Sequence, residues 1–220
     1  MFNIAIDGPA GAGKSSIAKA VAKNLGFIYV DTGALYRSIA LNCLKQGVAA
    51  EETEQVVALL ENTTVELKFE DGTQKVILNG EDVSEAIRTP EVSANASKVS
   101  AIPEVRTFLF DLQQTMAKEN NVLMDGRDIG TVVLPNADLK VFLTASPEVR
   151  AKRRYDELIA KGQDVDYDTI LADVKERDYR DTHRDVAPLK AAEDAVIVDS
   201  SDMSFDEVAA TIQKLAEERL

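Results

Sequence analysis

Gly8-Pro9-Ala10-Gly11-Ala12-Gly13-Lys14-Ser15 matches G-x-x-x-x-G-K-[ST] at every fixed position. The glycines let the backbone curl so that successive N–H groups aim at phosphate oxygens. The helix that must follow adds about half a positive charge and free donors at its N-terminus. Lys14 is spaced to reach the β- and γ-phosphates, Ser15 to ligate Mg²⁺, and Ser16 continues the cradle. Before any ligand binds, the Lys14 side chain is expected to face solvent. Taken alone, the motif says only that a nucleoside triphosphate is held here.

Arginines beside acids form the second set. Asp31-Thr32-Gly33-Ala34-Leu35-Tyr36-Arg37 and Asp125-Gly126-Arg127-Asp128 each follow a short apolar run. Ligands of open α/β sheets bind at the carboxyl ends of strands, which aims Arg37 and Arg127 at the crevice of the phosphate loop. Arg177, Asp181 and Arg184 are spaced i, i+4, i+7 and are expected on one helix face. That face is either a second anion site or an ordinary surface ladder. A guanine-reading Asn-Lys-x-Asp is absent from the sequence. Val122-Leu123-Met124-Asp125 is short for the acid-bearing strand of a motor ATPase. A small-molecule kinase needs a second anion site, and the arginines supply one. A nucleotide-dependent switch without transfer activity is the rival class.

The elements that must position these residues alternate between strand and helix, which predicts a parallel sheet flanked by helices. Strands are expected at 4–6, 27–30, 122–124, 139–143 and 195–198. Helices are expected at 14–25 and 34–44, from Pro103 with a buried stripe of Val105, Phe108, Leu109, Leu112 and Met116, from Ser146-Pro147-Glu148, through Arg177, and at the C-terminus. Thr63 to Val83 breaks the pattern. Its alternating residues and the turn signals Asp71-Gly72 and Asn79-Gly80 predict a small antiparallel insert. The expected organisation is one domain, with a core of 1–60 and 100–220, an insert of 61–99 and a lid near 150–168.

Composition narrows the classes further. Net charge is −13, so no nucleic-acid polymer is expected as a partner. No apolar run approaches the ~20 residues of a membrane span. Cys43 is the only cysteine and is expected to be buried, which fits a reducing, cytoplasmic location. No signal peptide is expected, and a monomer is. Arg150-Ala151-Lys152-Arg153-Arg154 reads equally as a solvated helix face or as part of a lid. His183, the only histidine, is expected at the surface rather than as a base.

The chain resembles the bacterial cytidylate kinases over essentially its whole length. The likeness is carried by Ile6 to Ser15, Asp31 to Arg37, Asp125-Gly126-Arg127-Asp128-Ile129-Gly130-Thr131-Val132-Val133, and Glu176-Arg177-Asp178-Tyr179-Arg180-Asp181. The Gly-Arg-Asp-Ile-Gly-Thr segment is the most diagnostic. The resemblance implies a P-loop nucleoside monophosphate kinase fold of the α/β class: a five-stranded parallel sheet flanked by helices, a small antiparallel β insert and a helical lid. It implies transfer of phosphate from ATP to CMP or dCMP with Mg²⁺. Under it, Arg37, Arg127 and Arg184 grip the acceptor phosphate. Tyr36, Arg177 and Asp181 hold the sugar or its phosphate side. Ser97, Arg106 and Asp128 read the cytosine, and Thr32 and Asp125 border the acceptor. Arg150, Arg153 and Arg154 fall in the lid, where Arg154 with Lys14 would stabilise the transferring group.

Overall fold

The computed structural model describes residues 1–70 and 73–220. In chain order it contains β1 (Asn3–Asp7), α1 (Lys14–Leu25), β2 (Ile28–Asp31), α2 (Thr32–Gln46), α3 (Thr53–Leu60), β3 (Val65–Glu70), β4 (Thr73–Leu78), β5 (Glu81–Asp82), α4 (Pro90–Val99), α5 (Pro103–Glu119), β6 (Val122–Gly126), β7 (Leu139–Thr144), α6 (Pro147–Ala160), α7 (Tyr167–His183), β8 (Val196–Asp199) and α8 (Phe205–Glu217). A short 3₁₀ turn lies at Ala86–Arg88 and a π turn at Ile129–Val133. The five parallel strands run in the order β2-β6-β1-β7-β8. The antiparallel sheet runs β3-β4-β5. Two compact units result: Ile28–Val122 with Met1, and Phe2–Phe27 with Leu123–Leu220.

In the second unit, β1 reads as a buried parallel strand because Ile4, Ala5 and Ile6 are fully buried. α1 begins at left-handed Gly13 and ends at left-handed Gly26, and Phe27 N–H donates to the Ala22 carbonyl at 2.8 Å. Ser146 caps α6 by accepting from Val149 N–H, with Pro147 in the first turn, as its sequence implies. α7 ends at His183, and Arg184 is already extended, with ψ of 144°. Arg184 is therefore not on the helix face expected for it. The chain folds back instead: Leu189 N–H donates to the Asp181 carbonyl at 2.8 Å, and Arg184 Nε to the Ala187 carbonyl at 2.7 Å.

In the first unit, the turn expected at Asn79-Gly80 forms with both residues at positive φ, 51° and 84°, which suits a tight two-residue hairpin. The turn expected at Asp71-Gly72 lies outside the described residues. Val76 and Leu78 on β4 share a core with Leu35 and Ile39 of α2, Ile87, and Val105 and Leu109 of α5. α5 is rotated from its expected stripe. Val105, Leu109, Gln113 and Ala117, four apart, face inward with Arg106, while Phe108, Leu112 and Met116 are half-buried. Gln113 tolerates burial by donating to the Leu109 carbonyl at 3.0 Å. α3 had no sequence expectation. It buries only Val56 and has no side-chain cap, so little in its sequence marks it.

Candidate active site

The phosphate loop joins β1 to α1, as its motif requires. A Cβ on Gly8 would lie 1.9 Å from the Leu143 carbonyl oxygen, so only glycine fits against β7. Gly11 and Gly13 hold φ of 77° and 88°. Lys14 does not face solvent as expected. It is 5% exposed, and Nζ donates to the Pro9 carbonyl at 2.7 Å. A buried ammonium must find an acceptor, and the loop's own backbone provides it. Burial, then repulsion from Arg127, holds its pKa well below the usual lysine range, against the attraction of Asp125, Asp7 and Asp181. Ser15 Oγ donates to Asp125 Oδ2 at 2.7 Å, so the end of β6 meets the loop.

Beyond β6, the diagnostic segment folds into the π turn. Asp7, the last residue of β1, accepts from Ile129 N–H and Gly130 N–H, each at 2.7 Å. Burial pushes Asp7 up to about 6 despite those two bonds, and Asp128 adds repulsion that Lys14 partly offsets. A Cβ on Gly130 would sit 3.3 Å from Asp7 Oδ2 and 3.2 Å from Lys140, so the turn packs tightly on β1 and β7. Sequence reasoning gave Asp7 no role. An acid closing an otherwise apolar strand was the available signal.

Arg127 Nε donates to Asp181 Oδ2 at 2.9 Å. Burial would raise Asp181, but Arg127, through charge and hydrogen bond, then Arg177 and Arg184, outweigh it and hold the carboxyl below its usual range. Asp181 is 6% exposed, so the surface-ladder alternative does not hold. Arg184 pairs with the buried Asp128 at 3.7 Å. The three arginines thus share one unit with the phosphate loop.

The basic run divides three ways. Arg150 is buried and donates to the Ala145 carbonyl at 2.8 Å, the Ala10 carbonyl at 3.0 Å and both carboxylate oxygens of Asp178. It therefore braces the phosphate loop against α6 and α7. Arg153 donates to the Ser200 carbonyl at 2.7 Å. Arg154 is exposed and pairs with Glu157 at 2.9 Å. The solvated-face reading holds for exposed Lys152, Arg153 and Arg154 and fails for Arg150.

In the first unit, Asp31 caps α2 by accepting from Ala34 N–H at 3.0 Å and pairs with Arg37 at 2.7 Å. Thr32 is the buried first residue of α2. Arg106 lies 5.6 Å over the Tyr36 ring and donates to the Ser100 carbonyl at 3.1 Å. Ser97, half-buried on α4, presents its carbonyl to Ser100 Oγ at 2.9 Å. Exposed His183 stacks on Tyr179 at 3.9 Å, and Cys43 is buried as expected.

The cytidylate kinase family model matches residues 4–218. The chain belongs to the cytidylate kinase family. A relative named cytidylate kinase from Caldicellulosiruptor bescii is 54% identical over 216 residues, covering 98% of this chain and 94% of its own. A second so named, from Carboxydothermus hydrogenoformans, is 49% identical over 214 residues, covering 97% and 96%. A crystal structure of an uncharacterized protein from Eubacterium ventriosum shares the fold at a TM-score of 0.54 and 13% identity, with both chains fully covered. Among the described residues no helix is long and apolar enough to cross a membrane, and no group of three or more His, Cys, Asp or Glu side chains could hold a metal.

Proposed function

We propose that this member of the cytidylate kinase family transfers the γ-phosphoryl group of ATP to CMP and dCMP, releasing ADP with CDP or dCDP. The observation that carries the reading is the cluster of Arg127, Arg177 and Arg184 around buried Asp181, in the same unit as a complete phosphate loop. A triphosphate cradle alone needs no such cluster, and an acceptor with its own phosphate does.

An oxygen of the CMP phosphate, already anionic at neutral pH, attacks the γ-phosphorus while the bond to the bridging β–γ oxygen breaks. No general base is required, so the protein's work is positioning and charge stabilisation. The loop amides and Lys14 hold the donor phosphates, and binding draws the Lys14 ammonium from the Pro9 carbonyl to phosphate oxygens. Arg37, Arg127 and Arg184 take the acceptor phosphate. Tyr36, Arg177 and Asp181 take the sugar or its phosphate side, and Thr32 is a further contact to the acceptor. Ser97, Arg106 and Asp128 read the cytosine. The hydroxyl of Ser15 and carboxylate of Asp125 are hard oxygen donors 2.7 Å apart, a set that fits Mg²⁺, which takes few protein ligands beside phosphate. When bound there, Mg²⁺ would neutralise charge on the transferring phosphates. A lid over about 150–168 excludes water, with Arg154 closing on the phosphates. Action as a monomer in the cytoplasm belongs to the same reading, and the single buried cysteine fits that reducing compartment.

ADP release should be followed with ATP and Mg²⁺ against CMP, dCMP, UMP, AMP and no acceptor. Fast release with the two cytosine nucleotides and slow release otherwise is expected. Release independent of the acceptor would point to an ATPase instead.

A further inference from the structure

We infer that Gln74, on the β insert, is a positioning residue for the acceptor site, acting through Asp31 on Arg37. The inference rests on the reading of Arg37 as an acceptor-phosphate ligand.

β2 ends the sheet order, so one side of its backbone has no strand partner. At Asp31, the last residue of β2, that role falls to one side chain. Gln74 Oε1 accepts from Asp31 N–H at 2.9 Å, and Gln74 Nε2 donates to the Asp31 carbonyl at 3.3 Å. A primary amide carries one acceptor and a donor pair in a plane, so it copies the peptide group of a neighbouring strand. Among side chains only asparagine shares this planar amide, and it is one methylene shorter.

The backbone so fixed carries a carboxylate already committed twice. Asp31 Oδ1 accepts from Ala34 N–H at 3.0 Å, and Oδ2 takes Arg37 at 2.7 Å. Gly33 leaves room for this pair, since a Cβ there would lie 3.1 Å from an Arg37 terminal nitrogen and 3.2 Å from Asp31 Oδ1. Among the described residues the buried Nε of Arg37 has no hydrogen-bond partner, and Asp31 is the acid paired with this guanidinium and orients it.

Gln74 is itself held. Gln74, Val76 and Leu78 alternate on one face of β4, and Val76 and Leu78 are sunk into the core with Leu35 and Ile39 of α2. Gln74 also lies opposite Phe69 in the β3–β4 register. The face that anchors the insert therefore extends directly into the contact with Asp31. This gives the insert a task in catalysis: it fixes the strand end from which Arg37 is aimed.

The test is a double-variant cycle of Gln74→Ala and Arg37→Ala, with KM for CMP and for ATP measured separately. Gln74→Ala is expected to raise the CMP KM ~5- to 10-fold, the scale of one or two lost hydrogen bonds, and to leave the ATP KM unchanged. In the Arg37→Ala background the same change should cost nothing further, because the group it orients is gone. Gln74→Glu keeps the chain length but cannot donate to the Asp31 carbonyl when ionised, and it should raise the CMP KM at least as much. It serves where Gln74→Ala lowers the folded yield. Additive effects, or an equal rise in both KM values, would overturn the inference while leaving Arg37 in place. An Arg37→Ala protein with an ordinary CMP KM would overturn the Arg37 reading, and this inference with it.

Discussion

Asp181→Ala tests the arginine cluster most severely. The carboxylate is 6% exposed and accepts from Arg127 Nε at 2.9 Å, with Arg177 and Arg184 also acting on it. Removing one partner of a buried ion pair costs about 3–5 kcal/mol, because the other charge stays behind without compensation. The Arg127 side chain is 21% exposed, so water recovers part of that, and about 3 kcal/mol is the appropriate scale. For a chain of 220 residues this lowers Tm by roughly 6–12 °C. The sign with pH follows from the depressed pKa. The contribution is present above the unfolded carboxyl value and is lost as pH falls through the lower folded one. The gap between wild type and variant should thus be constant at neutral pH and close only in strong acid. CMP at saturating concentration should restore part of the lost Tm, since a phosphate can replace the missing negative charge. The CMP KM should rise far more than the ATP KM. Thermal unfolding with and without CMP, and both KM values, decide the matter. An unchanged Tm with only the ATP KM altered would refute the cluster as an acceptor site.

Lys14→Met should reduce turnover ~10²- to 10³-fold, the scale of losing one preorganised charge donor. Its Tm should hold or rise, because a buried ammonium is removed with one backbone bond; a large fall in Tm would mean that the Pro9 contact holds the loop together. Asp7 has a raised pKa, so the fold favours its protonated form and gains stability as pH falls from about 6 toward the ordinary carboxyl value. Asp7→Asn lacks this gain, so urea unfolding should show wild type gaining up to about 3 kcal/mol on the variant between pH 7 and pH 4; a gap independent of pH would show that Asp7 is not displaced. Asp178→Ala releases the Arg150 brace on the Ala10 carbonyl and should raise the ATP KM more than the CMP KM, with equal changes in both counting against a brace on the phosphate loop.

Most of the parallel sheet was legible because its strands are short apolar runs closed by glycine or acid, as at Ile4 to Asp7 and Val122 to Gly126. The phosphate loop was legible because each of its positions has a separate steric or electrostatic demand, visible in the collision a Cβ at Gly8 would make. Other features depended on tertiary partners. Spacing put Arg184 on the helix with Asp181, but α7 stops at His183 where Arg184 and Leu189 bond back across the turn. Arg106 and Gln113 are polar residues on the buried face of α5, and their burial follows from carbonyl acceptors that periodicity does not register. Lys14 was expected to face solvent and Arg150 to lie on either a solvated face or a lid, yet both are buried because a backbone carbonyl or a carboxylate waits for them.

The proposed site reads cytosine on a phosphate-bearing acceptor. Cytosine offers an amino donor at N4, where uracil has an acceptor, and a carboxylate at Asp128 suits the first and repels the second. A pairing of this kind discriminates by ~1–3 kcal/mol, about 5- to 150-fold in rate. The most direct measurement is the ratio of kcat/KM for CMP to that for UMP, in wild type and in Asp128→Ala. Wild type should prefer CMP strongly, and that preference should shrink in the variant mainly through lost activity on CMP. A wild type that prefers UMP or AMP would contradict it.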